Sequence, residues 1–409
     1  MKKHIFPIAI TGHMDHGKST LIGRLLLETN SLPEEKIKEI KKISKELGKD
    51  TELAYVCDQL KEERENNMTI DTTQIFFNTR KRSYCIIDTP GHVEFLKNMI
   101  TGTSHAEAAV LIIDANEGIM EQTRRHLYVI AMLGIKQLVI VVNKMDLVDY
   151  NEQKFNWIKE ELLAFLGRIG LQGSIIIPIS ARENDNISKK SVKTKWYRGA
   201  TLLDTLDDLK EEETDEAKPL TLAVQDVYNM DGKNIIVGMV SSGRLLRGGK
   251  ITILPDKRDT EAESILEFGE KNKKEAFAGE NVGIILKDSL SIKRGDIIIE
   301  KQGPLQATTS FKGDILWLSE EPLEINKKFI LRCVTQEVAC VVERIEKRMN
   351  TSTLEMITGN SNELKINEAA QLLFRTEKPV VVESFSFIER FGRFAVEKDH
   401  ALCGLGIVV

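Results

Sequence analysis

Apolar positions in the first half of the chain come in short unbroken runs, at residues 5–10, 84–87, 110–113, 138–142 and 175–178. Runs of this length suit strands buried on both faces. Between them lie segments of helical period. One, at 20–28, follows the first run directly, and a second is predicted to begin at Ser31, where Ser31 and Glu34 form an S-x-x-E capping pattern and Ile37, Ile40, Ile43 and Leu47 recur at helical spacing. Strands alternating with helices predict an α/β domain with a mostly parallel sheet and helices on both faces.

An acidic stretch, Glu211, Glu212, Glu213, Asp215 and Glu216, leads to Pro219 and marks a boundary. Beyond it the pattern changes to short strands separated by turn signals such as Asp231-Gly232, Arg247-Gly248-Gly249 and Arg294-Gly295-Asp296, with hardly any helical period. This texture predicts small antiparallel β-barrels, and a polar stretch at 302–309 divides them into two. The expected organisation is therefore an α/β P-loop domain over 1–213, a β-barrel over 219–303 and a second β-barrel over 307–409.

Composition narrows the function classes. The 409 residues carry 57 basic and 62 acidic groups, a net charge of −5, which supplies no global attraction to a phosphate backbone or anionic lipid. No apolar stretch approaches the roughly 18 residues of a membrane span, and the run after Lys2 and Lys3 is too short for an export signal. The five cysteines, Cys57, Cys85, Cys333, Cys340 and Cys403, are scattered without metal-ligand spacing and suit free thiols. A cytoplasmic protein without a membrane partner is expected.

Candidate chemistry gathers at the predicted strand ends. Gly12-His13-Met14-Asp15-His16-Gly17-Lys18-Ser19 fits G-x-x-x-x-G-K-[ST] between a strand and the helix that Thr20 continues. Its glycines let backbone N–H groups curl around phosphate oxygens, Lys18 adds charge to the β- and γ-phosphates, and Ser19 offers a hydroxyl to Mg²⁺. Asp88-Thr89-Pro90-Gly91 ends the next apolar run, with Asp88 able to hold Mg²⁺ through water and the Gly91 N–H able to reach the γ-phosphate. Asn143-Lys144-Met145-Asp146 ends another; the Asp146 carboxylate can accept from guanine N1–H and N2–H₂, a pair adenine does not offer, and Lys144 can lie along the base. Ser180-Ala181-Arg182 offers a backbone N–H to guanine O6. Four such segments in this order, each at a strand's carboxyl end, predict a GTP site with Mg²⁺. Thr69 lies in a polar segment where a hydroxyl can ligate Mg²⁺ while γ-phosphate is present and release it afterwards. His92 follows Gly91, where an attacking water needs orienting. Asp15, Lys18 and His92 are assigned to the hydrolytic step.

The sequences from Gly12 to Thr20, from Asp88 to His92 and from Asn143 to Asp146 together resemble translation-factor-class GTPases over essentially the whole chain. The resemblance implies a G domain followed by two β-barrels, a water-positioning role for His92, and an apolar gate formed by Met14 and Met68. Within that class the chain resembles the GTPase subunit of bacterial sulfate adenylyltransferase. That likeness rests on Gln122-Thr123-Arg124-Arg125-His126, residues 133–150, residues 275–280, Arg294-Gly295-Asp296 and residues 316–323. It implies GTP hydrolysis coupled to adenylyl sulfate formation on a catalytic partner subunit, with nucleic acid not expected as a partner. The alternative is an elongation factor delivering aminoacyl-tRNA. Against it, residues 329–336 depart from the R-T-T-D-V-T-G segment of elongation factor Tu.

Overall fold

The computed structural model describes residues 5–32, 74–88, 106–211, 215–230, 232–267, 270–359 and 362–409. The chain divides into two compact units, 1–212 and 213–409. The first is built on six strands, β1 Ile5–Gly12, β2 Gln74–Asn78, β3 Ser83–Asp88, β4 Ala108–Asp114, β5 Gln137–Asn143 and β6 Ile175–Pro178, in the order β2-β3-β1-β4-β5-β6. Only the β2–β3 pairing is antiparallel. All seven residues of β4 are buried, as expected of a parallel strand covered on both faces. Phe6, Ile8 and Ile10 of β1 share a core with Leu21, Ile22 and Leu25 of the first helix, α1 Lys18–Glu28. Ala9, of the opposite parity, is equally inaccessible, so the sheet's other face is covered too.

Strand order decides where the site lies. β1 pairs with β3 on one side, Ile10 opposite Asp88, and with β4 on the other, Gly12 opposite Ile112. The chain thus leaves β1 where strand order reverses, the crevice in which open α/β sheets bind ligands. Ser31 accepts a hydrogen bond from the Asn78 N–H at 3.2 Å, tying the end of α1 to β2; the helix predicted to begin at it lies outside the described residues.

In the second unit, residues 221–300 form a barrel. It closes because Lys250–Leu254 pairs antiparallel with both Ile297–Glu300 and Arg258–Glu267. Six further strands, from Ala307–Trp317 to Ala401–Val408, form a second closed barrel around Trp317, Phe329, Phe374 and Phe394. The two barrels share a buried cluster of Ala223, Leu254, Ile297, Ile299, Leu305, Val381, Ile388 and Phe391. Leu305, in the polar stretch read as a divider, is part of that cluster. The architecture is the expected one, an α/β P-loop domain followed by antiparallel β-barrels. Cys85, Cys333, Cys340 and Cys403 are buried, and burial pushes the thiols of Cys333 and Cys340 up to about 12. Among the described residues no helix is long and apolar enough to cross a membrane.

Candidate nucleotide site

The loop after β1 is shaped by two glycines. Gly12 has φ 151° and a Cβ there would lie 2.5 Å from the Ile112 carbonyl oxygen. Gly17 has φ 94° and its Cβ would meet Asn143 Nδ2 at 2.5 Å. Gly17 is also the N-cap of α1, with no side-chain cap, and the first turn holds no acidic residue. Opening N–H groups without a side-chain cap or a carboxylate in the first turn make a helix end whose potential favours an anion. Lys18 adds to it: its Nζ donates to the carbonyls of Gly12 at 2.8 Å and His13 at 3.0 Å, so the ammonium lies within the loop it serves.

Behind the loop stands a group of histidines. His16 is fully buried, with Nδ1 3.2 Å from the Ile112 carbonyl and Nε2 3.0 Å from Glu117 Oε2. Both neighbours are acceptors, and they pin the loop to β4 and to the segment that follows it. His126 Nδ1 lies 3.2 Å from Thr11 Oγ1. Burial, reinforced by the Lys18 charge, drags the His126 imidazole down to about 3, so it is neutral at ordinary pH. Burial, and then the neighbouring His16, also lower His13, whose Nδ1 is buried without a hydrogen-bond partner among the described residues. Asp15 is exposed with φ 59°, and Met14 is 43% exposed.

The loops after β5 and β6 are held by side chains reaching across the sheet. Asn143, the last residue of β5, donates from Nδ2 to the His16 carbonyl at 2.8 Å and accepts at Oδ1 from the Ala181 N–H at 2.9 Å. One buried amide therefore joins the phosphate loop to the segment 180–182. Lys144 adopts φ 61° and its ammonium pairs with Asp114 Oδ2 at 2.8 Å. The following 3₁₀ turn, Met145–Val148, carries the half-buried Asp146. Arg24 of α1 donates through Nε to the Ala181 carbonyl at 3.0 Å, and through a second nitrogen to the Arg182 carbonyl. Ser180 Oγ accepts from the Glu183 N–H at 3.2 Å, closing the turn.

Of the residues read from sequence, Gly12, His13, Asp15, His16, Gly17, Lys18, Ser19, Thr20, Asn143, Lys144, Asp146, Ser180, Ala181 and Arg182 lie on the loops and helix start at the carboxyl end of β1, β5 and β6, and Asp88 ends β3 beside them. Thr69, Gly91, His92 and Met68 lie outside the described residues. Ser19 and Asp88 offer a hydroxyl and a carboxylate, the hard oxygen donors Mg²⁺ takes, so the residues present fit that ion. Sequence reasoning missed Arg24, Asp114 and Glu117, and read His126 only as part of a family segment.

This is a GTP-binding domain of the P-loop class, set in a translation-factor-like frame of sheet and barrels. The family described as Elongation factor Tu GTP binding domain matches residues 3–212, and that described as GTP-eEF1A C-terminal domain-like matches 310–409. Elongation factor 1-alpha of Methanosphaerula palustris is 38% identical over 98% of this chain and 96% of its own length. Elongation factor 1-alpha of Archaeoglobus fulgidus is 38% identical over 100% and 98%. A solved structure of sup35 complexed with GMPPNP aligns over 100% of this chain and 94% of its own at 23% identity and a TM-score of 0.46, too loose to argue from. The chain belongs to the elongation factor Tu-type GTPase family, with elongation factors 1-alpha as full-length relatives.

These relatives overturn the reading as a sulfate adenylyltransferase subunit, and with it the catalytic partner subunit and the exclusion of nucleic acid. The barrel segments that suggested it serve the fold. Glu280 accepts from the Phe277 N–H at 2.9 Å and from Lys273 at 2.8 Å, shaping the turn between Glu275–Phe277 and Asn281–Leu286. Asp296 closes its own turn by accepting from the Lys293 N–H at 3.0 Å. Trp317 fills the last barrel, its Nε1 donating to the Glu321 carbonyl at 2.8 Å. The departure at 329–336 is equally structural, since Gln336 exchanges two hydrogen bonds with the Val381 backbone, at 2.7 and 2.8 Å. Barrel turns and cores of this kind carry no information about a partner.

Proposed function

We propose that this chain is an elongation-factor GTPase that binds aminoacyl-tRNA in its GTP form and releases it after hydrolysis. The observation that carries the reading is the span of the likeness: 38% identity to an elongation factor 1-alpha runs over 98% of the chain, through the barrels as well as the GTP-binding domain.

In this reading the loop 12–19 and the start of α1 bind the phosphates, and the Lys18 ammonium leaves its carbonyl partners to meet the β- and γ-oxygens. Ser19, Thr69 and Asp88 would hold Mg²⁺, which would supply positive charge against the phosphates. Asp146 reads guanine N1–H and N2–H₂, while Lys144 lies along the base. Because the Ala181 N–H is engaged by Asn143, the Arg182 N–H is the donor assigned to guanine O6. Gly91 and His92 complete the γ-phosphate end, with His92 orienting water.

The test uses the full chain loaded with GDP or with a non-hydrolysable GTP analogue, mixed with aminoacylated and deacylated tRNA and followed by filter binding. Retention of the aminoacylated form only in the analogue-loaded state is expected. Equal retention in both nucleotide states, or retention of neither tRNA, overturns the reading.

A further inference from the structure

Beside the base-reading loops lies a cluster of side chains that no phosphate or metal role absorbs. Tyr150 follows the Asp146 turn, and both Asp149 and Tyr150 are left-handed, with φ 50° and 53°. Such a pair is unfavourable for L-residues and persists only where the surroundings hold it. The Tyr150 N–H donates to the Met145 carbonyl at 2.8 Å, closing the turn that carries Asp146. Its own carbonyl accepts from Trp196 Nε1 at 3.1 Å.

Asp185 performs the matching task on the other loop. It exchanges two backbone hydrogen bonds with Ser180, each 3.2 Å, so residues 181–184 form a closed turn of which 181 and 182 are the first half. Asn184 and Asn186 on either side are left-handed, with φ 60° and 57°, a geometry asparagine tolerates better than most residues. The Asp185 carboxylate, in a residue only 8% exposed, accepts from the Tyr150 hydroxyl at 2.6 Å. Lys193 Nζ donates to that hydroxyl oxygen at 3.0 Å, lies 3.4 Å from Asp185 Oδ2, and sits 4.8 Å from the Tyr150 ring centroid.

We infer that Tyr150, Asp185 and Lys193 form a latch that positions the Asp146 turn against the 180–182 turn and so sets the preference for guanine. The inference rests on the reading of this site as a guanine-nucleotide site. None of the three is a catalytic residue; each is a positioning residue acting through a neighbour. The geometry makes the direction of each bond unambiguous: Lys193 carries only donors, so the tyrosine oxygen accepts from it and turns its one hydrogen to Asp185. Burial and the Asp185 carboxylate push the Tyr150 hydroxyl up to about 12, keeping that hydrogen in place. A base contacts both turns at once, so a change in their spacing acts on the contacts to N1, N2 and O6, whereas the phosphates are gripped elsewhere.

The experiment measures binding of three nucleotides to the nucleotide-free full chain: GDP, IDP, which lacks the 2-amino group, and 2-aminopurine riboside diphosphate, which lacks O6. Wild type should prefer GDP over both. Tyr150→Phe keeps the ring beside Lys193 and removes only the hydroxyl; Asp185→Asn removes the charge. Each should lower GDP affinity about five- to tenfold, the worth of part of one charge-assisted hydrogen bond, while affinity for the 2-aminopurine nucleotide, which reaches only the Asp146 turn, changes less than about twofold and that for IDP, which keeps N1–H and O6, falls by an intermediate factor, so that the preference for GDP over the 2-aminopurine nucleotide collapses. Lys193→Met should lower the ratios in the same sense by a smaller factor. Should Tyr150→Phe and Asp185→Asn weaken all three nucleotides equally, or leave the ratios at wild-type values, the latch is wrong and the guanine reading stands. A wild type binding GDP no better than the analogues removes the guanine reading and the latch with it.

Discussion

At the phosphate end of the site, the loop 12–19 takes its form from backbone freedom: Gly12 and Gly17 hold conformations that side chains rarely adopt, and a Cβ on either would meet a neighbour at 2.5 Å. At the base end no glycine is involved. There Asn143, Arg24 and Asp185 reach across from other elements, and the left-handed residues Lys144, Asp149, Tyr150, Asn184 and Asn186 are held by the bonds around them. In the proposed reading the phosphate end presents N–H groups to an anion that makes few demands on shape. The base end must match a planar pattern of donors and acceptors, which needs independently placed groups. Asn143 belongs to both, because its amide bonds the His16 carbonyl on one side and the Ala181 N–H on the other.

The sharpest way to break this contrast is to give the phosphate loop a side chain. Gly17→Ala forces an L-residue to φ 94° and drives its methyl into Asn143 Nδ2. The left-handed conformation alone costs about 1–2 kcal/mol, and displacing the amide from His16 adds about 1 kcal/mol more. We expect GDP and GTP affinity to fall about 100-fold, by titration of the nucleotide-free protein. Wild-type affinity in this variant would mean the loop is not the phosphate site.

A smaller effect separates the two ends. Asp146→Asn leaves the phosphate loop intact and removes the carboxylate proposed to accept from guanine, so GTP should weaken about 10- to 100-fold, the worth of one or two charge-assisted hydrogen bonds. Xanthosine triphosphate should bind in its place, because the new amide donates to the xanthine oxygen. Unchanged GTP affinity would remove Asp146 from base recognition.

How far these two ends were legible beforehand follows the same division. The phosphate loop is contiguous in sequence, and its glycines, Lys18 and Ser19 declare themselves by spacing. Asn143, Lys144 and Asp146 are equally local. The brace between Asn143 and Ala181 spans 38 residues, and that between Arg24 and Ala181 spans 157; no local pattern encodes such a pairing. Asn184 and Asn186 gave a weak signal, being residues that tolerate left-handed backbone. The alternation of strand and helix, and later of strand and turn, disclosed the fold because each follows from local period and turn chemistry. The family subtype was misread for a related reason: the motifs at 275–280, 294–296 and 316–323 are turn and core residues of the barrels, which look distinctive in sequence yet answer to packing.

The smallest effect concerns acid. His126, packed against Thr11 beneath the phosphate loop, has its imidazole held down to about 3 by burial and by the Lys18 charge, against 6.5 for an exposed histidine. Between those values the unfolded chain binds a proton that the folded chain refuses. Stability contributed by the neutral ring is therefore fully present above about pH 6.5 and is lost as pH falls toward 3, by up to about 1.4 kcal/mol per pH unit. His126→Gln keeps a polar group of similar reach near Thr11 and cannot titrate. Other groups also titrate in this range, so the comparison is between the two proteins at each pH rather than along one curve. Urea unfolding of the nucleotide-free forms at pH 7, 6 and 5 should show wild type losing ground to the variant by up to about 1.4 kcal/mol between pH 6 and 5, and less between 7 and 6. Parallel stability profiles would mean that His126 accepts its proton in the folded state, and that the phosphate end is not the acid-sensitive half of the site.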